Sequence, residues 1–280
     1  MKNLFAFIFY LFFTNNSFTQ IDIVHPPNWW IGFENTDLQL LVKNENISNY
    51  DVFIDYPGVT IKSIQKADSP NYIFINLDIS PNTKEGNFKI IFENDNEGLS
   101  YMYNLKNKRG FQYQNEGFDS SDVVYLITPD RYVNGDEKND IIRNMKENSI
   151  DRSDGYARHG GDIKGISENL DYIDNMGFTS LWLNPVLIND MKDGSYHGYA
   201  TTDYYTVDPR FGTFKEYLEL SEKAVEKNIK LIKDIIVNHC GLYHWWMDDL
   251  PFNDWLNFQE NYINSTENNL EKNTIYSNHR

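Results

Sequence analysis

Three short apolar runs in the second half of the chain limit the folds that it can adopt. They occupy residues 123–127, 179–183 and 231–237. The first is a continuous apolar run, which is typical of a strand buried on both faces of a parallel sheet, and the other two, which also contain polar residues, predict the second buried strand and the third strand. Apolar residues recur every three or four positions from Ile166 to Met176, which predicts a helix that ends at Gly177. Residues 214–227 predict a second helix. This order predicts parallel strands joined by right-handed crossovers.

A different pattern precedes residue 118. Short alternating runs at residues 38–42, 50–54, 72–77 and 88–92 are separated by turn residues, and residues 101–111 predict a last strand. Strands at this spacing, with no helical pattern between them, predict an all-β immunoglobulin-like sandwich over residues 21–117. Residues 118–280 are then a separate α/β domain.

The N-terminus has the pattern of a secretory signal peptide over residues 1–20. Lys2 precedes ten apolar residues, and a polar segment then ends at Gln20. Ten residues are too few to span a bilayer, which needs about 20. We therefore expect export to the periplasm, with no stable membrane insertion after cleavage. The single cysteine, Cys240, excludes an intrachain disulfide and a thiolate metal cluster.

Composition narrows the choice of partner. A net charge of −16 disfavours nucleic acids and anionic membrane surfaces, which attract basic proteins. The chain contains 19 Tyr, 18 Phe and 6 Trp residues, which suit a ligand with flat apolar faces, such as a sugar, and suit a dense core equally well. The motifs of dinucleotide-binding proteins, phosphate-loop proteins, zinc proteases and serine hydrolases are absent from the sequence.

Oxygen-bearing side chains follow the first predicted strand. Asn134, Asp136, Asn139 and Asp140 lie within seven residues around a glycine turn. Hard cations such as calcium bind six to eight oxygen ligands. Taken alone, such a cluster is more often a solvated polar turn than a cation site.

Candidate ligand-binding residues follow the second and third strands. His197 and Tyr199 are two positions apart, so an extended segment directs both to one side, where a ring could stack on a sugar and an imidazole could donate to a hydroxyl. A loop packed by its own aromatic residues fits the same pattern. After the third strand, alternation predicts Asp234 and Asn238 on one side and His239 on the other. A histidine just past a buried parallel strand is a candidate for ligand binding.

Together these motifs resemble the alpha-amylase family, glycoside hydrolase family 13, and within it the neopullulanases and cyclomaltodextrinases. Asp234-Ile-Ile-Val-Asn238-His239 is similar to the family's third-strand signature, and His197-Gly-Tyr199 is similar to its second-strand loop. Residues 27–32 resemble the start of the N-terminal sandwich of neopullulanase-type proteins. The resemblance covers nearly all of residues 21–245.

The resemblance implies a retaining glycosidase (EC 3.2.1.-) that hydrolyses O-glycosyl bonds of α-glucans such as starch, pullulan or cyclodextrin. It implies that Tyr199 stacks on the sugar, that His197 and His239 bind its hydroxyls, and that Asp234 and Asn238 support the floor of the site. It also implies a calcium site. The ligands of that site are Asn134, Asp136, Asn139, Asp140, the Gly160 carbonyl and Asp162.

The chain also departs from the family pattern. The retaining mechanism needs a nucleophilic Asp after strand four and an acid/base Glu after strand five, and no motif past residue 237 matches them. We therefore expect no catalytic residue here and an incomplete (β/α)8 barrel of about three βα units, since a whole barrel takes about 250 residues.

Two alternatives to hydrolysis remain at this stage. One is a non-catalytic α-glucan-binding protein that acts through the sandwich, with Trp29 and Trp30 as the stacking platform. The other is a family member that transfers or isomerises sugars. The sequence leaves open whether the chain forms a homodimer.

Overall fold

The computed structural model describes residues 19–107 and 117–256, so the predicted signal peptide lies outside it except for residues 19 and 20. The chain divides into two compact units, and the division lies between residues 110 and 111. Among the described residues, no helix has the length and apolar character needed to cross a membrane.

The first unit consists of two β-sheets. Its strands are β1 (Thr19–Gln20), β2 (Ile23–His25), β3 (Asn28–Trp30), β4 (Asp37–Lys43), β5 (Asp51–Ile54), β6 (Val59–Lys66), β7 (Tyr72–Ile79), β8 (Gly86–Glu93) and β9 (Gly98–Lys106). One sheet has the order β1-β9-β8-β5, with β3 also paired to β9, and the other has the order β2-β4-β7-β6.

The two sheets share one apolar core. Leu40 and Ile75 enter it from one sheet, and Ile90 and Tyr103 enter it from the other. This arrangement confirms a sheet-rich N-terminal domain. Of the adjacent tryptophans in β3, Trp29 packs against this core and Trp30 is partly exposed.

Strand β6 is missing from the sequence prediction. It lies at the edge of its sheet, and six of its eight residues are exposed, with lysines at positions 62 and 66. Polar and charged residues on an edge strand discourage pairing with other chains, and they also remove the apolar alternation by which a strand is recognised.

The second unit is built around a small parallel sheet. Its helices and strands are β10 (Val124–Ile127), α1 (Ile163–Glu168), α2 (Leu170–Asn175), β11 (Ser180–Leu183), β12 (Leu187–Ile188), β13 (Asp203–Val207), α3 (Phe214–Glu226) and β14 (Lys230–Lys233). Strands β10, β11 and β14 pair in parallel in that order, as predicted, and β12 and β13 form an antiparallel pair. Between residue 233 and residue 256 the only helical element is the 3-10 helix Trp245–Met247.

Two boundaries differ from the prediction. The helix expected to run to Met176 is divided at Asn169 into α1 and α2, and Met176 is exposed. The third strand ends at Lys233, and Ile235 and Val237 are 60% and 87% exposed. Apolar residues alone therefore did not set the length of this strand.

Only one face of the parallel sheet is covered in the described residues. Leu181 and Leu183 of β11 pack in the same core as Ile166 and Leu220 from the helices. On the opposite face, Leu126 and Trp182 are neighbours in register and are 53% and 40% exposed. Burial of the strands on both faces is therefore not observed here.

Candidate functional site

The polar loops that follow β10, β11 and β14 all leave the sheet at the carboxyl ends of its strands. Because the strands are parallel and in register, these ends lie along one edge. Open α/β sheets and barrels place their binding sites at this edge. The loop after β11 carries His197 and Tyr199, and the segment after β14 carries Asp234 and His239.

Tyr199 is anchored by the first residue after β14. Its hydroxyl donates to Oδ2 of Asp234 at 3.0 Å, and the same oxygen accepts from Nε1 of Trp182 at 3.0 Å. Burial, together with the hydrogen bond to Asp234 and its charge, raises the pKa of Tyr199 to about 12. The carboxylate thus holds the phenol ring in a fixed position.

His197 is oriented by the backbone that follows it. It ends the 3-10 helix Ser195–His197, and the Tyr199 N–H donates to its Nδ1 at 2.9 Å. In the neutral ring the proton therefore lies on Nε2, which is a hydrogen-bond donor. The His197 and Tyr199 rings are stacked, with centroids 5.9 Å apart. The turn between them requires Gly198, whose φ is +80° and where a Cβ would collide with the Pro185 carbonyl oxygen.

His239 reaches the same tyrosine from the third strand. Its Nε2 lies 3.0 Å from the Tyr199 carbonyl oxygen. Asp234 and His239 both contact Tyr199, although strand alternation predicts opposite sides for them. Asp234 contacts the hydroxyl of Tyr199 and His239 contacts its backbone carbonyl, and because β14 ends at Lys233, the alternation of a strand does not apply to either residue.

A cavity of about 390 Å³ adjoins His239. Its wall includes Asn238 and the aromatic rings of Tyr204, Trp246 and Trp255. The Tyr204 hydroxyl donates to the His239 carbonyl oxygen, so this wall is attached to the site. Flat apolar rings next to an amide match the two kinds of surface that a sugar ring presents.

A buried ion pair holds the loop that carries the candidate residues. Arg210 and Asp208 are fully buried, with NH2 and Oδ2 2.7 Å apart. Arg210 also donates to the carbonyl oxygens of Glu147 and Asn189, at 3.0 and 2.7 Å. The Glu147 carboxylate in turn accepts the Ser195 N–H at 2.7 Å, at the start of the 3-10 helix. The position of this helix therefore depends on the ion pair.

Two further residues contact the candidate residues and have no role in the sequence-based predictions, Trp182 and Asn184. Trp182 lies in an apolar run. The sequence of such a run is the same whether its tryptophan donates a hydrogen bond to a carboxylate or packs in a core. Asn184 donates to the His197 carbonyl oxygen at 3.3 Å. Its position just past β11 is the signal that could have identified it.

The oxygen-rich cluster after β10 is assembled in the structure. Nδ2 of Asn134 donates to Oδ1 of Asp140 at 2.8 Å. A Cβ on Gly160 would be 2.5 Å from the same Asp140 oxygen and 2.9 Å from Nδ2 of Asn134, so the Gly160 backbone lies close to both side chains. Asp136 follows Asn134 by two residues, and its carboxylate accepts the Lys138 N–H at 3.2 Å.

Asp162 connects this cluster to α1. Its buried carboxylate accepts the backbone N–H groups of Gly135 and Asp136 and the Asn139 amide, at distances between 2.8 and 3.3 Å. It also caps α1 by accepting the Gly165 N–H at 2.6 Å. One side chain therefore holds both the start of a helix and the loop of the cluster.

The cluster fits a hard cation. Among the described residues, Oδ1 of Asn134 and Oδ1 of Asn139 are buried without a hydrogen-bond partner, and such atoms commonly bind an ion or a water molecule. Burial raises the pKa of Asp140, and a bound cation would favour its ionised form. The described residues contain no group of three His, Cys, Asp or Glu side chains that could hold a metal, so amide and backbone oxygens would supply several ligands, as calcium accepts.

The anchored tyrosine leads to a prediction about pH. Tyr199 has a raised pKa of about 12, whereas the ordinary value is 10.0. Its neutral form therefore stabilises the fold fully below pH 10, and this contribution is lost as the pH rises through 12. We expect the phenolate absorbance that is lost in Tyr199→Phe to titrate near pH 12 in the native protein and near pH 10 in urea. Equal midpoints in both conditions would contradict the anchoring.

Comparison with known proteins assigns the chain to a family. Residues 126–279 match the alpha-amylase catalytic domain, and residues 23–109 match the N-terminal domain of cyclomaltodextrinase. The chain is 44% identical over 122 residues to the beta/alpha-amylase of Paenibacillus polymyxa, a match that covers 44% of this chain and 10% of that protein.

Two further relatives carry names of the subgroup that the sequence motifs resemble. The cyclomaltodextrinase of Thermoanaerobacter pseudethanolicus is 35% identical over 145 residues, which is 49% of this chain and 24% of that protein. Neopullulanase 2 of Thermoactinomyces vulgaris is 35% identical over 121 residues, which is 42% of this chain and 20% of that protein. The chain thus spans at most about a quarter of the length of these relatives.

The catalytic-domain match extends over more than half of the 280 residues. It includes both the oxygen-rich cluster and the residues grouped around Tyr199. The chain belongs to the alpha-amylase family.

Proposed function

We propose that this chain forms the sugar-binding part of a glycoside hydrolase that acts on α-glucans with retention of configuration. The observation that carries the proposal is the grouping of His197, Tyr199 and His239 at the carboxyl edge of the sheet. The relatives named cyclomaltodextrinase, neopullulanase and beta/alpha-amylase support the same class of substrate.

Each residue of the group has a role that follows from its contacts. Tyr199, held by Asp234, presents a fixed ring on which a pyranose can stack. His197 carries its proton on Nε2 and donates to a sugar hydroxyl, and His239 binds a second hydroxyl. Asn238 supports the site from the cavity wall. Hydrogen bonds to sugar hydroxyls that strengthen as the ring flattens would stabilise the transition state.

The proposed mechanism also requires two reacting carboxylates, which we do not assign to residues of this chain. A retaining glycosidase uses two carboxylates about 5–5.5 Å apart. Asp234 suits neither role, because its Oδ2 already accepts from Trp182 and Tyr199. We therefore assign no catalytic residue in this chain, and we expect the purified chain to bind maltodextrin without hydrolysing it. Measurable turnover would contradict this assignment.

The proposal includes a cation and an architecture. Calcium would be held by oxygens of Asn134, Asp136, Asn139, Asp140, the Gly160 carbonyl and Asp162, and it would supply positive charge that fixes these loops. The paired sheets of the first unit support an immunoglobulin-like sandwich over residues 21–117, and the parallel strands support an incomplete (β/α)8 barrel over residues 118–280. Export to the periplasm after removal of residues 1–20 remains part of the proposal, as does α-glucan as the partner.

Binding of maltoheptaose to the full chain, measured by titration calorimetry, tests the proposed function. Tyr199→Ala removes the stacking ring, whose loss should cost about 1.4 kcal/mol, or about tenfold in Kd. Tyr199→Phe keeps the ring and loses only the hydrogen bond to Asp234, so a loss of about threefold is expected. Tyr156→Ala is the matched control, because this tyrosine is 82% exposed and lies outside the site.

The same titration separates the proposal from the alternative. If Trp30→Ala abolishes binding while Tyr199→Ala leaves it unchanged, the sugar binds on the first unit, and the chain is a glucan-binding protein. Trp30 is the partly exposed tryptophan of β3, with the Lys106 ammonium 5.7 Å from its ring centroid. Replacing it therefore perturbs the core less than replacing Trp29 would.

A further inference from the structure

Tyr196 contacts both a fixed arginine and the imidazole of His197. The Arg131 guanidinium carbon is 3.9 Å from the centroid of the Tyr196 ring. Tyr196 also meets His197 edge-on, with centroids 5.4 Å apart and an interplanar angle of 78°. None of the roles assigned above uses Tyr196 or Arg131.

Arg131 is itself held in place. Its NH1 pairs with the Asp130 carboxylate, and its NH2 donates to the Gly155 carbonyl oxygen at 2.8 Å. Asp130 is fully buried and also accepts the backbone N–H groups of His159 and Gly160, at 2.8 and 3.2 Å. The guanidinium is thus fixed at both ends, and the face that it offers to Tyr196 cannot shift without breaking these bonds.

The imidazole of His197 is therefore in contact with two anchored rings. Tyr199 stacks on it and is tied to Asp234, and Tyr196 packs edge-on and is tied to Arg131. The hydrogen bond from the Tyr199 N–H to Nδ1 is formed only for one orientation of the imidazole. A ring that rotated away from this orientation would lose the bond and would no longer keep its proton on Nε2.

We propose that Tyr196 and Arg131 are positioning residues that hold the His197 imidazole in the orientation and tautomer that bind the sugar. The inference rests on the proposed function for its consequence, which is affinity. Its structural part, the fixed tautomer of His197, stands independently of any ligand.

Nitrogen-15 NMR of the histidine-labelled full chain tests the proposal. In the wild type, the His197 shifts should show an unprotonated Nδ1 and a protonated Nε2. In Tyr196→Ala the two tautomers should mix, and the Kd for maltoheptaose should rise about fivefold, because an aromatic contact is lost. Tyr196→Phe keeps the ring and should restore both readouts. Arg131→Lys, which keeps the charge and loses the planar face, should give an intermediate result.

Several outcomes are decisive. The resonances of His239 report whether the rest of the site is intact, and if Tyr196→Ala does not fold, Tyr196→Leu preserves the apolar bulk without the ring. An unchanged His197 tautomer in a folded variant without the ring overturns the proposal. If the wild type binds no maltoheptaose but its tautomer still depends on Tyr196, the proposed function fails and the positioning role stands.

Discussion

Replacing Asp208 with alanine is expected to lower the free energy of unfolding by about 3–5 kcal/mol, because it leaves the Arg210 guanidinium buried without its counter-charge. The carboxylate accepts from three groups of Arg210, namely its backbone N–H, Nε and NH2, at 2.7–2.9 Å. It also accepts the Asn189 N–H at 3.2 Å. All of these hydrogen bonds are lost together.

The expected loss is a large fraction of the stability of a typical domain, which is about 5–15 kcal/mol. Urea unfolding followed by tryptophan fluorescence measures it. Glu219→Ala is the control, because it breaks the exposed Lys215–Glu219 pair, where a change below about 0.5 kcal/mol is expected. A loss below about 1 kcal/mol in Asp208→Ala would show that the ion pair does not hold the loop.

Replacing Asp162 with alanine is expected to remove about 3 kcal/mol of stability and, in addition, the response to calcium. The substitution deletes the N-cap of α1, worth about 0.5–2 kcal/mol, and leaves the buried N–H groups of Gly135 and Asp136 without acceptors. A cation at 100 times its Kd would stabilise the wild type by about 2.7 kcal/mol. The variant should lose most of that gain.

Thermal unfolding with calcium and with a chelator measures both effects. Thr213→Ala is the matched control, because Thr213 caps α3 in a capping box with Glu216, at a distance in sequence from the cluster. This variant should be less stable than the wild type and should still respond to calcium. A wild type whose unfolding temperature is the same with calcium and with chelator would contradict the cation site.

The sequence predicted the parts of the fold that repeat a pattern. The alternation in β4, β7 and β8 and the apolar runs in β10, β11 and β14 identified these strands, because each of them has a face in an apolar core. Strand β6 was not predicted, because it is an edge strand with exposed polar residues. The end of β14 escaped prediction because Ile235 and Val237 are apolar and yet lie outside the sheet.

The residues of the candidate site were proposed from the sequence, whereas their mutual contacts were not predictable from it. His197, Tyr199 and His239 are identified by their positions after strands and by motif resemblance. Their mutual contacts depend on backbone atoms of Tyr199, because its N–H contacts His197 and its carbonyl oxygen contacts His239. Every residue type has these backbone atoms, so the sequence does not indicate the contacts. The hydrogen bond from Trp182 to Asp234 was also not predictable, because a hydrogen bond from an indole does not alter an apolar sequence pattern.

The cavity beside His239 also has a thiol group in its wall. Cys240, the single cysteine of the chain, lines this cavity, and burial raises the pKa of its thiol to about 11. Since the thiolate is the reactive form, a disulfide reagent at neutral pH should modify it slowly while the wall is closed. The rate of modification of Cys240 therefore reports how often the reagent gains access to this wall, one residue from His239.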